Sequence, residues 1–427
     1  GDGDLKEADP KKLRRTILAG ISGNVMEWYD FAVYGYLAAI LGTQFFPSED
    51  PLVSLISSYG AFAAGFVSRP LGGIVFGHIG DRIGRKSVLM VSVLMMGIAT
   101  FVIGVLPGYA EIGVAAPILL IGMRILQGLS VGGEYSGSIT FVAEHAPPAR
   151  RGYLTSWIGM GAIFGFVLGA GAAALLEGIL DDAQMQSWGW RLPFLVGIVI
   201  ALGSFMLRRH VEEPPVEDDA TVVEGLPFVA AFRVEWRGML QVMGLALSVN
   251  VAFYLMFVYA ATYLNEHMHV SSQATMDIST GCLLAMCVVV PISGWISDRW
   301  GRKPVALIGM ISLFLLSYPL FWLMNHSDLT LVLLGQLGFA VILGWIFGVN
   351  PALQVEALSR SVRMSAFSMS YNITLALFGG TAPIVATYLV ARTSDDFIPA
   401  YYVMVLALFS LVAVIMGRET KGEVLKP

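Results

Sequence analysis

The sequence carries little charge for its length. Asp, Glu, Lys and Arg make up 13% of its 427 residues, whereas soluble domains carry about 25%. Apolar residue types reach 56%, and the few polar residues cannot cover them in water. The 47 glycines and 19 prolines are spread through apolar runs, which is more usual for transmembrane helices than for soluble ones. This composition excludes a soluble enzyme, a nucleic-acid-binding protein and a disordered chain, and it indicates a membrane protein with several spans.

Residues and motifs typical of catalysis, metal binding or phosphate binding are scarce as well. The two cysteines, Cys282 and Cys287, lie in one apolar stretch, where packing is a better interpretation than a disulfide or a metal site. The HExxH, CxxC and phosphate-binding Gly–Lys motifs are missing. We therefore expect no enzymatic activity, no cofactor and no metal. The polar residues 1–10 lack the apolar core of a signal peptide, and a net charge of −5 is too small to indicate a strongly charged partner.

Twelve apolar runs are long enough to cross a bilayer, which takes roughly 20 residues of helix. The short alternating strands of an outer-membrane barrel are not seen in them. We predict an all-α polytopic membrane protein with twelve transmembrane helices in two six-helix halves. In chain order, spans 1 to 12 are predicted at 16–42, 52–78, 87–107, 115–144, 152–177, 190–207, 237–264, 276–297, 303–324, 329–357, 363–391 and 398–417.

The basic residues favour one orientation of these spans. If both termini are cytoplasmic, 22 of the 26 Lys and Arg residues fall in cytoplasmic loops and tails, as the positive-inside rule requires. Arg208 is counted among them, in the central loop, and only Arg191 and Arg392 lie outside. The predicted parts are an N-tail (1–15), an N-terminal bundle (16–209), a linker (210–236), a C-terminal bundle (237–417) and a C-tail (418–427).

Two motifs recur in the two halves. The pattern Gly-x-x-x-Asp-Arg-x-Gly-Arg-Lys occurs at 77–86 and again at 294–303, and Glu144 precedes Arg151 as Glu356 precedes Arg363, by seven residues. Such repeats indicate an internal duplication. We predict that acids and arginines at these positions hold the cytoplasmic side closed in one state, with Arg85 able to bind Glu144; the alternative is a topology signal without a gating role. The predicted gating residues are Asp81, Arg82, Arg85, Glu144, Arg151, Asp298, Arg299, Arg302, Glu356 and Arg363.

Five charges lie at membrane depth, where a charge is costly and usually functional. Glu27 and Asp30 are in span 1, Arg69 in span 2, and Arg124 and Glu134 in span 4. At 1.5 Å per residue each falls within roughly 10 Å of the midplane. All five are in the N-terminal half, so we expect proton handling and charge recognition there. The alternative is a permanent structural ion pair between helices.

Further polar residues share helix faces with these charges. Asn24, Glu27 and Tyr34 follow one face of span 1, and Arg124, Gln127 and Glu134 follow one face of span 4. If Asp30 engages Arg124, Arg69 is the freer cation and could bind a substrate carboxylate. Polar groups of spans 7 and 11 either line the other side of a cavity or make interhelical hydrogen bonds; they are Asn250, Tyr254, Tyr371 and Asn372.

The loop motif resembles the short-loop signature of the major facilitator superfamily. The stretches 23–35, 69–73, 127–135 and 188–193 further resemble the metabolite–proton symporter family. Residues 250–254 and 399–404 are most similar to its proline/betaine branch. This resemblance covers nearly the whole chain and implies inward, proton-driven transport of a small metabolite across the bacterial inner membrane.

The resemblance implies symport of a proton with a small carboxylate-bearing solute by alternating access. A zwitterion such as proline or glycine betaine is favoured, and a di- or tricarboxylate such as α-ketoglutarate or citrate is the alternative. A non-transporting membrane sensor on the same fold is an alternative of another class. The expected partners are the solute, the proton and the lipid bilayer. The predicted proton-coupling residues are Asp30, Arg124, Glu27 and Glu134. The predicted substrate-binding residues are Asn24, Glu27, Tyr34, Arg69, Gln127, Tyr135, Asn250, Tyr254, Tyr371 and Asn372.

Overall fold

The computed structural model describes residues 10–75, 85–132, 134–211, 226–360 and 362–426, without the side chains of 85–88, 141 and 145. In the first half, span 1 comprises Pro10–Tyr36 and Ala38–Phe45, span 2 is Pro51–Val75, span 3 is Arg85–Val105, span 4 comprises Ala115–Val131 and Glu134–His145, span 5 is Arg151–Ile179 and span 6 is Arg191–Arg209.

The second half repeats the pattern with six further helical segments. Span 7 is Trp236–Glu266, span 8 is Ser272–Trp300, span 9 is Arg302–Met324, span 10 is Leu329–Glu356, span 11 is Arg363–Thr393 and span 12 is Ile398–Met416. Spans 7 and 11 each contain a π-helical stretch, Tyr254–Tyr259 and Leu375–Gly379. A further short helix, Pro227–Val234, precedes span 7.

The helical architecture confirms the predicted all-α fold. Within the described residues, ten helices are long and apolar enough to cross a membrane. Span 3 contributes a shorter apolar helix, Leu89–Val105. Span 1 has 27 residues in its first helix but carries the buried acids Glu27 and Asp30, which lower its mean hydropathy. Each of the twelve predicted runs therefore overlaps a helical span of the described residues.

Local sequence explains where several of these helices begin. The side chains of Asp50, Ser271 and Asp328 accept hydrogen bonds from the first backbone N–H groups of spans 2, 8 and 10, at 3.0, 3.2 and 2.9 Å. These groups have no partner inside the helix, so such caps stabilise the helix start. Between spans 8 and 9, Gly301 has φ of +104°, a conformation that favours glycine and that matches the tight turn of the repeated loop motif.

Small residues bring span 5 close to span 1. A methyl group added at Gly165 would lie 2.6 Å from the carbonyl oxygen of Val25, and one at Gly169 would lie 2.6 Å from Cβ of Ala32. Glycine is enriched at such crossings in membranes because it lets two backbones approach. This packing fixes the rotation of span 1 and points its acidic residues into the protein.

We expect Gly165→Ala to lower the melting temperature of the purified protein, because the added methyl group has no room against span 1. Gly203→Ala is the matched control, since nothing lies within 4 Å of the position of its added methyl group. Alanine is the better helix former by about 1 kcal/mol, so the control should melt at the same temperature or higher. Equal melting temperatures for the two variants would contradict this packing account.

Candidate functional site

The candidate site is centred on two acids of span 1 that lie one turn apart. Glu27 and Asp30 are both buried, with exposed fractions of 1% and 0%. Each meets an arginine from another helix: Glu27 meets Arg69 of span 2, and Asp30 meets Arg124 of span 4. Two buried ion pairs therefore lie side by side inside the N-terminal half.

The Asp30–Arg124 pair is surrounded by hydrogen bonds. Arg124 Nη1 lies 3.3 Å from Asp30 Oδ2, the contact predicted from the sequence. Asp30 Oδ1 also accepts from the hydroxyl of Thr100 at 2.9 Å and from Nε2 of Gln127 at 2.6 Å. Arg124 donates in addition to Gln127 Oε1 at 3.0 Å and to the carbonyl oxygen of Phe62 at 2.8 Å. Gln127, predicted to bind substrate, thus belongs to this cluster.

The Glu27–Arg69 pair is bare by comparison. Arg69 Nη1 and Glu27 Oε1 are 2.8 Å apart, so Arg69 is not the freer cation expected from the sequence. The contact between Nη1 and Oε1 is close but is not aligned as a hydrogen bond. Both carboxylate oxygens of Glu27 and the Nε and Nη2 atoms of Arg69 therefore lack a hydrogen-bond partner among the described residues. The guanidinium carbon lies 4.4 Å from the ring centre of Phe31 and 4.6 Å from that of Phe66. Aromatic faces thus pack against this arginine.

A third buried pair was missed from the sequence. Glu134 forms an ion pair with Arg208, which is 4% exposed and lies in the last turn of span 6, not in the central loop as predicted. A side chain at Gly23 would collide with this pair, since its Cβ would lie 2.6 Å from Cζ of Arg208. The signal was present in the helical spacing of Ala201, Ser204 and Arg208, which share the buried face of span 6.

Two predicted tyrosines of the C-terminal half contact aromatic residues of the first half, whereas the amide nitrogens of the predicted asparagines bond within their own helices. The ring of Tyr254 lies parallel to that of Trp28 at 6.3 Å, and Tyr371 stacks on Tyr135 at 4.9 Å. Both contacts join the two halves. The side-chain amides of Asn24, Asn250 and Asn372 donate within their own helices, to Gly20 O, Ala246 O and Ser368 Oγ. Tyr34 donates to the carbonyl oxygen of Ser58 at 3.0 Å, and its ring packs against Arg124.

Further aromatic side chains were not identified from the sequence. Trp28, Phe166, Phe253 and Tyr254 form one cluster, with ring centres 4.5 to 6.4 Å apart. Aromatic residues are common in apolar spans, so composition alone could not separate these rings from ordinary core residues. Their adjacency to Glu27 and Arg69 becomes visible only when spans 1, 5 and 7 are brought together.

At one end of the bundle, the arginine-rich end, acids and arginines pair across the two halves. Glu144 of the first half contacts Arg363 of the second at 3.1 Å, and Arg151 of the first half contacts Glu356 of the second at 3.4 Å. The two repeated Glu–Arg motifs therefore exchange partners. In this inter-half network Glu144 thus has a partner in the second half. Its predicted pairing with Arg85 stays a prediction, because the side chain of Arg85 lies outside the described residues.

The loop motif of the second half joins the same network. Asp298 accepts from the backbone N–H groups of Gly152 and Tyr153, both at 2.9 Å, and so caps the start of span 5. Arg302 donates to Asp298 at 2.7 Å and to Glu356 at 2.8 Å. Arg299 instead packs on Trp295 and stands apart from these inter-half contacts. The corresponding Asp81 and Arg82 lie outside the described residues.

The chain after span 12 also binds at the arginine-rich end. The carboxylate of Glu419 accepts from the backbone N–H groups of Arg302 and Lys303 at 2.8 and 2.9 Å. The carbonyl oxygens of Glu423 and Lys426 accept from Arg151 and Arg363 at 3.0 and 2.9 Å. Arginines of both halves are thus tied to one segment. Sequence reasoning missed these contacts because backbone acceptors leave no pattern in residue types.

The opposite end of the bundle is closed by other contacts between the halves. The hydroxyl of Tyr59 in span 2 donates to that of Thr262 in span 7 at 3.0 Å. A methyl group at Gly35 of span 1 would lie 2.8 Å from Val258 of span 7, so the backbone there approaches closely. In the part of the chain that the structure describes, contacts between the halves therefore close both ends, and the pairs between them are buried.

Comparisons with known proteins agree with this architecture. Residues 16–216 match the family described as Sugar (and other) transporter, and residues 242–426 match the Major Facilitator Superfamily. A solved D-xylose-proton symporter superposes with a TM-score of 0.74 at 20% identity, over 96% of this chain and 99% of that one. A proton:xylose symporter bound to 6-bromo-6-deoxy-D-glucose gives a TM-score of 0.75 at 17% identity, over 97% and 98%. At these identities the likeness shows the fold.

Curated relatives are more similar in sequence. The proline/betaine transporter of Salmonella typhimurium is 38% identical over 99% of this chain and 87% of its own length. A glycine betaine/proline/ectoine/pipecolic acid transporter of Dickeya dadantii has the same identity and coverage. A putative proline/betaine transporter of Staphylococcus haemolyticus is 36% identical over 99% of this chain and 91% of its own length.

The buried Glu134–Arg208 pair yields a stability prediction. We expect Glu134→Leu to lower the free energy of unfolding by about 3–5 kcal/mol, because it leaves the Arg208 charge buried without its partner. Replacing both residues by leucine removes the uncompensated charge, so the double variant should recover much of the loss. Melting temperatures in one detergent measure the effect. A double variant no more stable than Glu134→Leu would contradict the pairing.

Proposed function

We propose that this chain, which belongs to the major facilitator superfamily and within it to the metabolite–proton symporter family, moves a small carboxylate-bearing metabolite and a proton together across a membrane. The observation that carries the proposal is the side-by-side burial of two ion pairs, Glu27–Arg69 and Asp30–Arg124, between ends that are both closed. One pair can take the solute while the other exchanges a proton. Its relatives transport proline and betaine, which favours a zwitterion.

Asp30 is the proposed proton carrier. In this closed state its charge is stabilised by Arg124, Thr100 and Gln127. A movement of span 1 relative to spans 3 and 4 separates these donors from the carboxylate. A buried carboxylate without donors is more stable protonated than charged. Proton binding is thereby tied to the change of state, which is the requirement for coupled transport.

Alternating access follows from the two closed ends. We infer that one half rocks against the other around the central site, so that one set of inter-half contacts breaks while the other holds. By the positive-inside rule the arginine-rich end faces the cytoplasm of a bacterial inner membrane, together with both tails and the 210–236 linker, and the six-helix bundles 16–209 and 237–417 are the moving units. The inter-half network then stabilises the state closed to the cytoplasm.

The charge balance favours a neutral solute over a dicarboxylate. With Arg208 included, the buried acids Glu27, Asp30 and Glu134 are matched by three arginines. A substrate with two negative charges would leave an uncompensated charge in a medium of low dielectric constant. Uptake of labelled glycine betaine or proline into vesicles containing the purified protein tests the assignment. A chain that is only a membrane sensor would bind solute without accumulating it.

We expect Asp30→Asn to abolish proton-driven accumulation of the solute but to retain part of its exchange. Asparagine keeps the shape and can still bond Thr100 and Gln127, but it cannot carry a proton. Vesicles loaded with unlabelled solute measure exchange, and a pH gradient imposed on empty vesicles measures accumulation. Undiminished accumulation would move the proton-coupling role to Glu27 or Glu134.

We expect Arg302→Ala to slow transport several-fold while leaving solute affinity nearly unchanged. Arg302 joins Asp298 and Glu356 in the inter-half network, roughly a bilayer leaflet away from the buried pairs by helix rise. Arg237→Ala is the control. Arg237 is exposed and packs on Trp236, so this substitution removes the same charge without changing a contact of the inter-half network. Loss of equilibrium binding in Arg302→Ala, with the melting temperature retained, would contradict a gating role.

A further inference from the structure

We infer that the Glu27–Arg69 pair is itself the solute site and that it binds a zwitterion by exchange of partners. The solute carboxylate takes the place of Glu27 on Arg69, and the ammonium or quaternary ammonium group of the solute takes the place of Arg69 beside Glu27. The inference rests on the proposed function, because it names the class of solute and the way in which that site holds it.

The first step is the contrast between the two buried pairs. Asp30 and Arg124 share hydrogen bonds with Thr100, Gln127 and two backbone carbonyl groups, so a ligand could only displace good partners. Glu27 and Arg69 are equally buried, yet four of their polar atoms have no hydrogen-bond partner in the described part of the chain. Unpaired buried polar atoms cost free energy. A ligand that supplies a carboxylate and a cation would recover it.

The second step is the geometry of the Arg69 atoms that lack hydrogen-bond partners among the described residues. Nη1 faces Glu27, whereas Nε and Nη2 have no hydrogen-bond partner among the described residues. The N–H bonds of Nε and Nη2 point in parallel along one edge of a guanidinium group and form the fork that binds a carboxylate through both oxygens. The edge of the Arg69 guanidinium group that can bind both oxygens of a carboxylate is therefore the edge without a hydrogen-bond partner among the described residues.

The third step concerns the cation of the solute. Beside Arg69, the ring of Trp28 lies parallel to Tyr254 and is flanked by Phe166 and Phe253. Aromatic faces attract cations, and rings around a site are the usual means of recognising quaternary ammonium groups. The guanidinium carbon of Arg69, 5.9 Å from the Trp28 ring centre, already occupies the edge of this aromatic cluster.

The fourth step is charge and distance. In proline and glycine betaine one carbon atom separates the charged nitrogen from the carboxylate, so the protein charges that receive them must be neighbours. Glu27 and Arg69 meet this condition at 2.8 Å. The exchange replaces contacts within one neutral pair by contacts with another neutral pair, so the net charge of the site is unchanged. A dicarboxylate would place its second negative charge against Glu27.

The site also connects binding to movement. Tyr254 belongs to the second half and packs on Trp28, Phe62 and Phe66 of the first. A solute held between Arg69 and the aromatic cluster would contact both halves, because Tyr254 is part of that cluster. Since Tyr254 starts the π-helical stretch of span 7, its position depends on an irregular turn that can rearrange.

The experiment compares glycine betaine with 3,3-dimethylbutanoate, which has the same shape and carboxylate but carbon in place of the charged nitrogen. Calorimetry on the purified full chain at one pH gives both dissociation constants. We expect the parent protein to bind glycine betaine about tenfold or more tightly than the analogue. Glu27→Gln should reduce that ratio toward one, and Arg69→Lys should weaken both ligands. Succinate should compete poorly with glycine betaine.

Tyr254→Leu provides a second variant that does not disturb either buried charge. It should weaken glycine betaine several-fold and leave the analogue nearly unchanged, because only the cation interacts with the ring face. An unchanged ratio in both Glu27→Gln and Tyr254→Leu, or unaltered affinity in Arg69→Lys, would overturn the inference. Uptake by the parent protein separates the two proposals. If the parent accumulates solute but the binding ratio is unchanged in the variants, only the exchange of partners at Glu27 and Arg69 is refuted. If the parent takes up no solute, the proposed transport is refuted.

Discussion

The cost of burying charge in a membrane protein governs the whole arrangement. Each acid held deep in the first half has an arginine from another helix as its partner: Glu27 with Arg69, Asp30 with Arg124 and Glu134 with Arg208. An unpaired charge at this depth would cost several kcal/mol. Spans 1, 2, 4 and 6 must therefore pack in the one register that brings these partners together, and the glycines at the helix crossings make that register possible.

The buried ion pairs differ in how many of their polar atoms have hydrogen-bond partners, and the proposed mechanism depends on that difference. In the proposed mechanism, the donors around Asp30 stabilise its charge in one state and move away from it in another, which suits proton binding. Several polar atoms of Glu27 and Arg69 have no hydrogen-bond partner in the described part of the chain. They suit a ligand that carries both a positive and a negative charge. At the arginine-rich end, Arg151 and Arg363 bind acids of the opposite half, so opening that end must break several ion pairs at once. Closure can thus be strong there and still reversible.

Hydropathy predicted the spans well, because membrane thickness sets the length of an apolar helix directly. The deep charges were also visible, since few residues of this kind occur in such runs. The sequence did not indicate which arginine meets which acid, except for Asp30 and Arg124. Arg208 is predicted in the central loop because it follows an apolar run, and Arg69 is predicted to be the freer of the two cations. Such partners depend on the rotation and crossing of helices that are distant in sequence, and residue spacing within one helix does not determine either.

The central claim is that one buried pair takes the solute while its neighbour takes the proton. Calorimetric titration of glycine betaine in two buffers of different ionisation enthalpy measures how many protons the protein takes up for each solute bound. The account predicts proton uptake on binding for the parent protein, and binding without proton uptake for Asp30→Asn. Proton uptake that is undiminished in Asp30→Asn would contradict the division of roles between the two pairs.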